Sequence, residues 1–177
     1  MEIERKYLIT RLPEDLKDYP CRIIEQGYLN IDPVIRIRRD NEKYELTYKS
    51  KGLMTREEYN LPLSREAYVH LMSKIDGRLI RKKRYMIPLA PRPAGEKADS
   101  GQAFYAGSPL TVELDIFEED LAPLILAEVE FPDEASALSF TPPEWFGEDV
   151  TFSGQYHNSY LSRNLPQKNR RGNLRPL

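Results

Sequence analysis

The stretch LTVELDIF at 110–117 alternates apolar and acidic residues: Val112, Leu114 and Ile116 fall between Glu113 and Asp115. Successive side chains on a β-strand point to opposite faces, so residues two apart share a face. Glu113 and Asp115 therefore aim the same way, against an apolar opposite side. Five more strand-like stretches pair like charges at this spacing: Glu2/Glu4 (followed by Lys6), Arg36/Arg38, Lys49/Lys51, Lys82/Arg84 and Glu128/Glu130. Three of the six pairs are acidic and three basic. A single pair of this kind is an ordinary solvated strand face. Six on separate strands describe one shared polar surface, with an inter-strand lattice of salt bridges on an open sheet as the bland alternative.

Parity assigns to that surface Glu2, Glu4, Glu45, Glu58, Glu113, Asp115, Glu128 and Glu130, and the cations Lys6, Arg36, Arg38, Lys49, Lys51, Arg56, Lys82 and Arg84. The opposite faces carry Ile35/Ile37, Leu114/Ile116 and Val129/Phe131, which must also be buried. The simplest solution places the charges inside a barrel and covers its outer apolar face with helices. A charged lumen costs folding energy, which points to a function. Carboxylate oxygens suit Mg²⁺ or Mn²⁺, and Lys/Arg suit phosphoryl oxygens.

Strand signals run over about 2–9, 22–31, 34–40, 44–50, 57–62, 79–88, 110–117 and 126–132, joined mostly by short turns such as Asp32-Pro33 and Asp40-Asn41. Short connections favour antiparallel neighbours. The fold class is therefore α+β, mainly β: an eight-stranded antiparallel β-barrel tunnel with a charged lumen and a few covering helices. Helix signals begin near Pro13, at Ser64 (running to Gly77), at Asp133, and over 156–164. Residues 91–108 read as a long mobile loop. The basic segment 164–177 reads as a disordered tail after a domain spanning 1–163.

The length of 177 residues suits one domain. A net charge of −2 argues against a bulk electrostatic grip on nucleic acid or a membrane surface. One cysteine, Cys21, excludes an internal disulfide and a cysteine-based zinc site. The N-terminus lacks a signal-peptide apolar region and nothing approaches a membrane span. A cytoplasmic protein, monomeric or homodimeric, is expected.

Glu2-Ile3-Glu4-Arg5-Lys6 is an ExExK motif, and with it the chain resembles the CYTH family, also called triphosphate tunnel metalloenzymes. The ordered set that carries the resemblance is EIERKYL at 2–8, QGYL at 26–29, IRIR at 35–38, LTYK at 46–49, TREEY at 55–59, RKKRYMI at 81–87, VELDIF at 112–117, AEVEF at 127–131 and VTFSGQYHNSYL at 150–161. The resemblance implies an eight-stranded tunnel that binds a triphosphate with divalent metal. It implies Glu2, Glu4, Glu128, Glu130 and Asp115 as metal ligands, with Glu113 as a further member of the acidic end. Lys6, Arg36, Arg38, Lys49, Lys82 and Arg84 are implied as phosphate ligands, which Lys51 and Arg56 join on the same face. Tyr156, Asn158 and Ser159 fall in a segment that plugs or lines a tunnel mouth.

Metal-dependent hydrolysis of inorganic triphosphate to phosphate and pyrophosphate is the activity this reading favours. Glu2, Glu4, Glu58 and Lys6 are the candidate catalytic residues, and which carboxylate handles the attacking water stays open. The alternatives are a thiamine or nucleoside triphosphatase, a class IV-type adenylate cyclase, and a non-catalytic polyphosphate-binding module. Asn60 departs from the family, which often places an acid there. Tyr28 reads as packing or as a substrate-facing residue, His70 as exposed, and His157 as a candidate site contact.

Overall fold

The computed structural model describes residues 1–89 and 109–165, plus the backbone of two short strands, Gln167–Lys168 and Leu174–Arg175, which pair antiparallel with each other. The loop expected at 91–108 and the rest of the expected tail lie outside the described residues.

The main sheet has nine strands, all pairings antiparallel. In chain order they are β1 (Glu2–Leu8), β2 (Cys21–Ile31), β3 (Val34–Asp40), β4 (Lys43–Lys49), β5 (Thr55–Arg56), β6 (Glu58–Pro62), β7 (Ile80–Leu89), β8 (Leu110–Phe117) and β9 (Ile125–Glu130). Their spatial order is β5-β1-β9-β8-β7-β2-β3-β4-β6. The expected eight-stranded closed ladder is corrected in one respect. The fifth strand breaks at Glu57, so that Thr55–Arg56 pairs with β1 and Glu58–Pro62 pairs with β4. The two ends of the hydrogen-bonded sheet are thus consecutive in the chain, with one residue between them. The sheet curls until its ends meet covalently, without a continuous ladder across the seam.

The expected helices form with shifted bounds. Ser64 caps α1 (Arg65–Met72), its Oγ accepting from the Ala67 amide at 3.1 Å. That helix ends five residues before Gly77, where the chain turns back to the sheet and the Asp76 amide donates to the Tyr28 carbonyl. Asp133 caps α2 (Glu134–Ser139), accepting from the Ser136 amide at 2.7 Å. The helix begun near Pro13 is a single 3-10 turn, Leu16–Asp18. The last helix, α3, spans Asn158–Leu161. Among the described residues no helix is long and apolar enough to cross a membrane.

Two apolar clusters follow from strand alternation. Ile3, Tyr7, Val112, Leu114, Val129 and Phe131 line the outer side of β1, β8 and β9, and Ala137, Phe140 and Phe146 cover them. The second cluster lies on the charged face itself. Val34, Ile80, Phe117 and Leu126 each stand two residues from a lumen charge: Arg36, Lys82, Asp115 and Glu128 respectively. They pack with Tyr28 and with Val150, Tyr156 and Leu161 of the C-terminal segment. The lumen is therefore polar along most of its length and apolar where that segment stoppers it.

Gly77 (φ +90°) anchors the stopper to the sheet. A Cβ there would sit 2.6 Å from the Ser162 carbonyl oxygen, the same oxygen that accepts the Arg78 amide at 2.8 Å. Positive φ and backbone contact both exclude a side chain. Gly77→Ala is expected to cost about 1–3 kcal/mol, read as a lowered urea midpoint with unchanged denaturant slope.

Candidate active site

The lumen holds a cavity of about 190 Å³ whose lining is almost wholly charged or polar; Val34 and Tyr28 are its apolar and aromatic members. Six carboxylates line it: Glu2, Glu4, Glu58, Glu113, Glu128 and Glu130. Seven cations face them: Lys6, Arg36, Arg38, Lys49, Arg56, Lys82 and Arg84. Strand alternation within each strand and the antiparallel register between strands bring them together. Glu4 stands opposite Glu130, Lys6 opposite Glu128, and Arg84 opposite Asp115.

Most of these charges are paired with one another. Lys6 Nζ lies 2.8 Å from Glu4 and also contacts Glu128. Lys49 joins Glu2 (2.7 Å) and Glu58 (2.5 Å), and Arg56 joins Glu2 and Glu4, each at 3.0 Å. Arg84 donates to Glu128 at 2.6 Å and also contacts Glu113. Burial works against the charge of Lys6, but Glu128 and Glu4 outweigh it and raise the ammonium above its ordinary range. Burial likewise opposes the charge of Glu128, yet Lys6, Lys82 and Arg84 hold its carboxyl well below the usual value. Burial opposes Glu58 too, and Lys49 with its hydrogen bonds brings it to about 2.

Two charges stand apart. Arg36 is buried, donates to Thr47 Oγ1 at 3.1 Å, and has no carboxylate at ion-pair distance among the described residues; its Nε has no partner. Glu130, at the mouth, has no cation at that distance among the described residues. Partial burial and then the charges of Glu2, Glu113, Glu4 and Glu58 raise its carboxyl above the ordinary range. One wall thus concentrates positive charge: burial, then Arg36 and Arg84, lower Arg38 to about 10. The facing wall concentrates negative charge.

Two sequence expectations are corrected. Lys51 does not reach the cavity. The strand ends at Lys49, and Lys51 lies in the following turn with its side chain 84% exposed, 3.2 Å from Asp32. Asp115 shares the lumen face but lies beneath the lining, fully buried. Its oxygens accept from Lys82 at 2.5 Å and from Arg84 at 2.7 and 2.6 Å. Packing against two cations engages both its oxygens and leaves no face for an ion in the cavity. Asn60 is exposed and is not part of the lining; it donates to Glu58 and accepts from Thr47, each at 2.7 Å.

Gln26 lines the cavity without having been singled out from the sequence, whereas His157, Asn158 and Ser159 were expected at the site or a tunnel mouth and do line it. Gln26 donates to the Tyr28 hydroxyl at 2.9 Å, and its parity with Tyr28 was the available signal. His157 and Asn158 bring the polar edge of the stopper into the cavity. Burial first, then the nearby Lys6 and Arg56, lower His157 to about 4, so the ring is neutral. His70 lies outside, exposed on α1.

The CYTH domain model matches residues 1–134 of this sequence. The chain belongs to the CYTH domain family. It is 37% identical over 169 residues to an inorganic triphosphatase of Nitrosomonas europaea, covering 93% of this chain and 99% of that one. It is 31% identical over 174 residues to an inorganic triphosphatase of Acetivibrio thermocellus, covering 95% and 96%. The crystal structure of an inorganic triphosphatase superposes with a TM-score of 0.63 at 32% identity, covering 94% of this chain and 97% of that chain. The CYTH lumen described above carries the chemistry any triphosphate ligand needs: dense cations on one wall and hard oxygen donors on the other. Among the described residues no three carboxylates, histidines or cysteines stand in a preformed metal cage, because the acids are paired with the cations instead.

Proposed function

We propose that this protein hydrolyses inorganic triphosphate to phosphate and pyrophosphate with a divalent metal, Mg²⁺ or Mn²⁺. The observation that carries the reading is the pair of charges in one cavity that are uncompensated among the described residues: Arg36, a buried cation without a counter-ion there, and Glu130, a carboxylate without a cation there. A triphosphate supplies the missing anion and a metal ion the missing cation. The curated relatives at 37% and 31% identity bear the same activity in their names.

The carboxylates fit a hard divalent ion by donor type, and Glu130 has no competing cation among the described residues. Glu2, Glu4, Glu128 and Glu130 would hold the ion, which supplies charge neutralisation at the phosphoryl oxygens. Lys6, Arg36, Arg38, Lys49, Arg56, Lys82 and Arg84 bind and align the phosphates. Those that now hold carboxylates exchange them for phosphoryl oxygens, an exchange of like for like that keeps buried charge compensated. The water oxygen bonds to a terminal phosphorus as the bond from that phosphorus to the bridging oxygen breaks, and its electron pair leaves with pyrophosphate. Glu58, which burial pushes up but Lys49 and its hydrogen bonds bring down to about 2, is a weak base. Glu2 and Glu4 line the same cavity and would take the water's proton. The near absence of apolar lining favours an inorganic substrate over thiamine or nucleoside triphosphates.

The test is phosphate release from tripolyphosphate, ATP and thiamine triphosphate with Mg²⁺, with Mn²⁺ and with EDTA. Metal-dependent release fastest from tripolyphosphate is expected; release unaffected by EDTA overturns the metal assignment. Arg36→Ala is expected to raise KM for tripolyphosphate at least tenfold, from loss of a charged hydrogen bond of about 1.5–3 kcal/mol. Lys51→Ala leaves KM within about twofold, as an exposed lysine outside the cavity should.

A further inference from the structure

The stopper does more than close the lumen. Among the described residues His157 Nε2 and Asn158 Oδ1 are buried and have no hydrogen-bond partner, and both residues line the cavity. His157 is 92% buried (8% exposed). A buried polar atom without a partner costs about 1–3 kcal/mol, so two of them on adjacent residues that line one cavity indicate something that completes them when the site is filled. A fully ionised triphosphate, the form that the lumen cations favour, cannot complete Asn158 Oδ1, since its outer oxygens only accept hydrogen bonds. Water can, because it both donates and accepts.

We infer that His157 and Asn158 hold the attacking water of the hydrolysis proposed above, with Asn158 Oδ1 accepting one of its hydrogens and His157 Nε2 completing its orientation. This rests on the triphosphatase reading. The choice of neutral side chains has a physical reason. A further carboxylate at this position would repel the triphosphate and compete for the metal ion. Neutral groups orient water without adding negative charge. The two residues position the water's oxygen; they need not keep its proton. The lumen also places them correctly, since His157 stands within electrostatic reach of Lys6, Arg56, Glu4 and Glu128, the groups assigned to phosphate and metal.

The experiment compares kcat and KM for tripolyphosphate in wild type, His157→Phe, His157→Gln and Asn158→Ala, with thermal unfolding of each and binding of the non-hydrolysable imidotriphosphate. Expected is a loss of roughly 10²-fold in kcat for His157→Phe and Asn158→Ala, the scale of a misplaced reacting group. KM and imidotriphosphate affinity stay within about twofold. His157→Gln, which keeps a neutral polar tip, recovers part of the loss. Undiminished kcat in both variants, or a raised KM with unchanged kcat, overturns the inference and makes these residues packing or phosphate contacts. If His157→Phe does not fold, Asn158→Ala decides on the same criteria. A wild-type protein that releases no phosphate overturns the triphosphatase reading, and the inference with it; wild-type turnover matched by the variants overturns the inference alone.

Discussion

Replacing Glu4 by Gln is expected to lower tripolyphosphate turnover by roughly 10³-fold and to leave the protein folded. Glu4 sits where three functions meet. Its Oε1 lies 2.8 Å from Lys6 and 3.0 Å from Arg56, and its residue stands opposite Glu130 across the β1–β9 pairing. The amide keeps the shape but removes the charge that would hold a metal ion and set the two cations. A metal contributes several kcal/mol at a developing phosphoryl charge, and each 1.36 kcal/mol is tenfold in rate. The fold survives because no cation is orphaned: Lys6 retains Glu128 and Arg56 retains Glu2. The measurement is metal-dependent phosphate release beside a urea denaturation curve. Near-normal turnover in a folded Glu4→Gln protein would remove Glu4 from the reaction.

The second large effect lies one layer below. Asp115→Asn is expected to cost about 3–5 kcal/mol of stability, the scale for breaking a buried ion pair by removing one partner. Asp115 is fully buried and is the only carboxylate paired with Lys82 among the described residues. Burial already lowers Lys82 to about 8 even with Asp115 beside it. Without that charge an almost fully buried ammonium has no counter-ion. Domains of this kind have about 5–15 kcal/mol in total, so the variant sits close to unfolding. Urea denaturation without metal decides between roles. A metal ligand would leave metal-free stability nearly unchanged and weaken metal affinity; a structural counter-ion does the reverse. The double substitution Lys82→Met with Asp115→Leu should restore most of the stability, since removing both charges leaves nothing unpaired.

These two residues show how far parity carries. Glu4 and Asp115 are equivalent by alternation: each is an acid on the lumen face of a strand. Register and stagger separate them. Glu4 reaches the cavity, whereas Asp115 faces two long cations that close over it. The same distinction removes Lys51, which has the right parity but falls two residues past the point where β4 stops. Parity also placed the break in the fifth strand out of reach. Arg56 and Glu58 read as one strand face, and both do line the cavity, but they belong to segments paired with different neighbours.

Which side chains share a face was decided by the sequence alone, because the two-residue period is a property of the extended backbone and needs no partner. The mainly β class, the charged interior, the caps at Ser64 and Asp133 and the family motifs all rest on such local rules. Only the tertiary structure decided which acids meet which cations, which charges stay unpaired, and which end of the lumen is stoppered. Those outcomes depend on how far each strand slides past its neighbour and on where a segment from the far end of the chain docks. Both are set by contacts between residues distant in sequence, as when Tyr156 and Leu161 meet Tyr28 and Ile80 and carry His157 and Asn158 into the cavity.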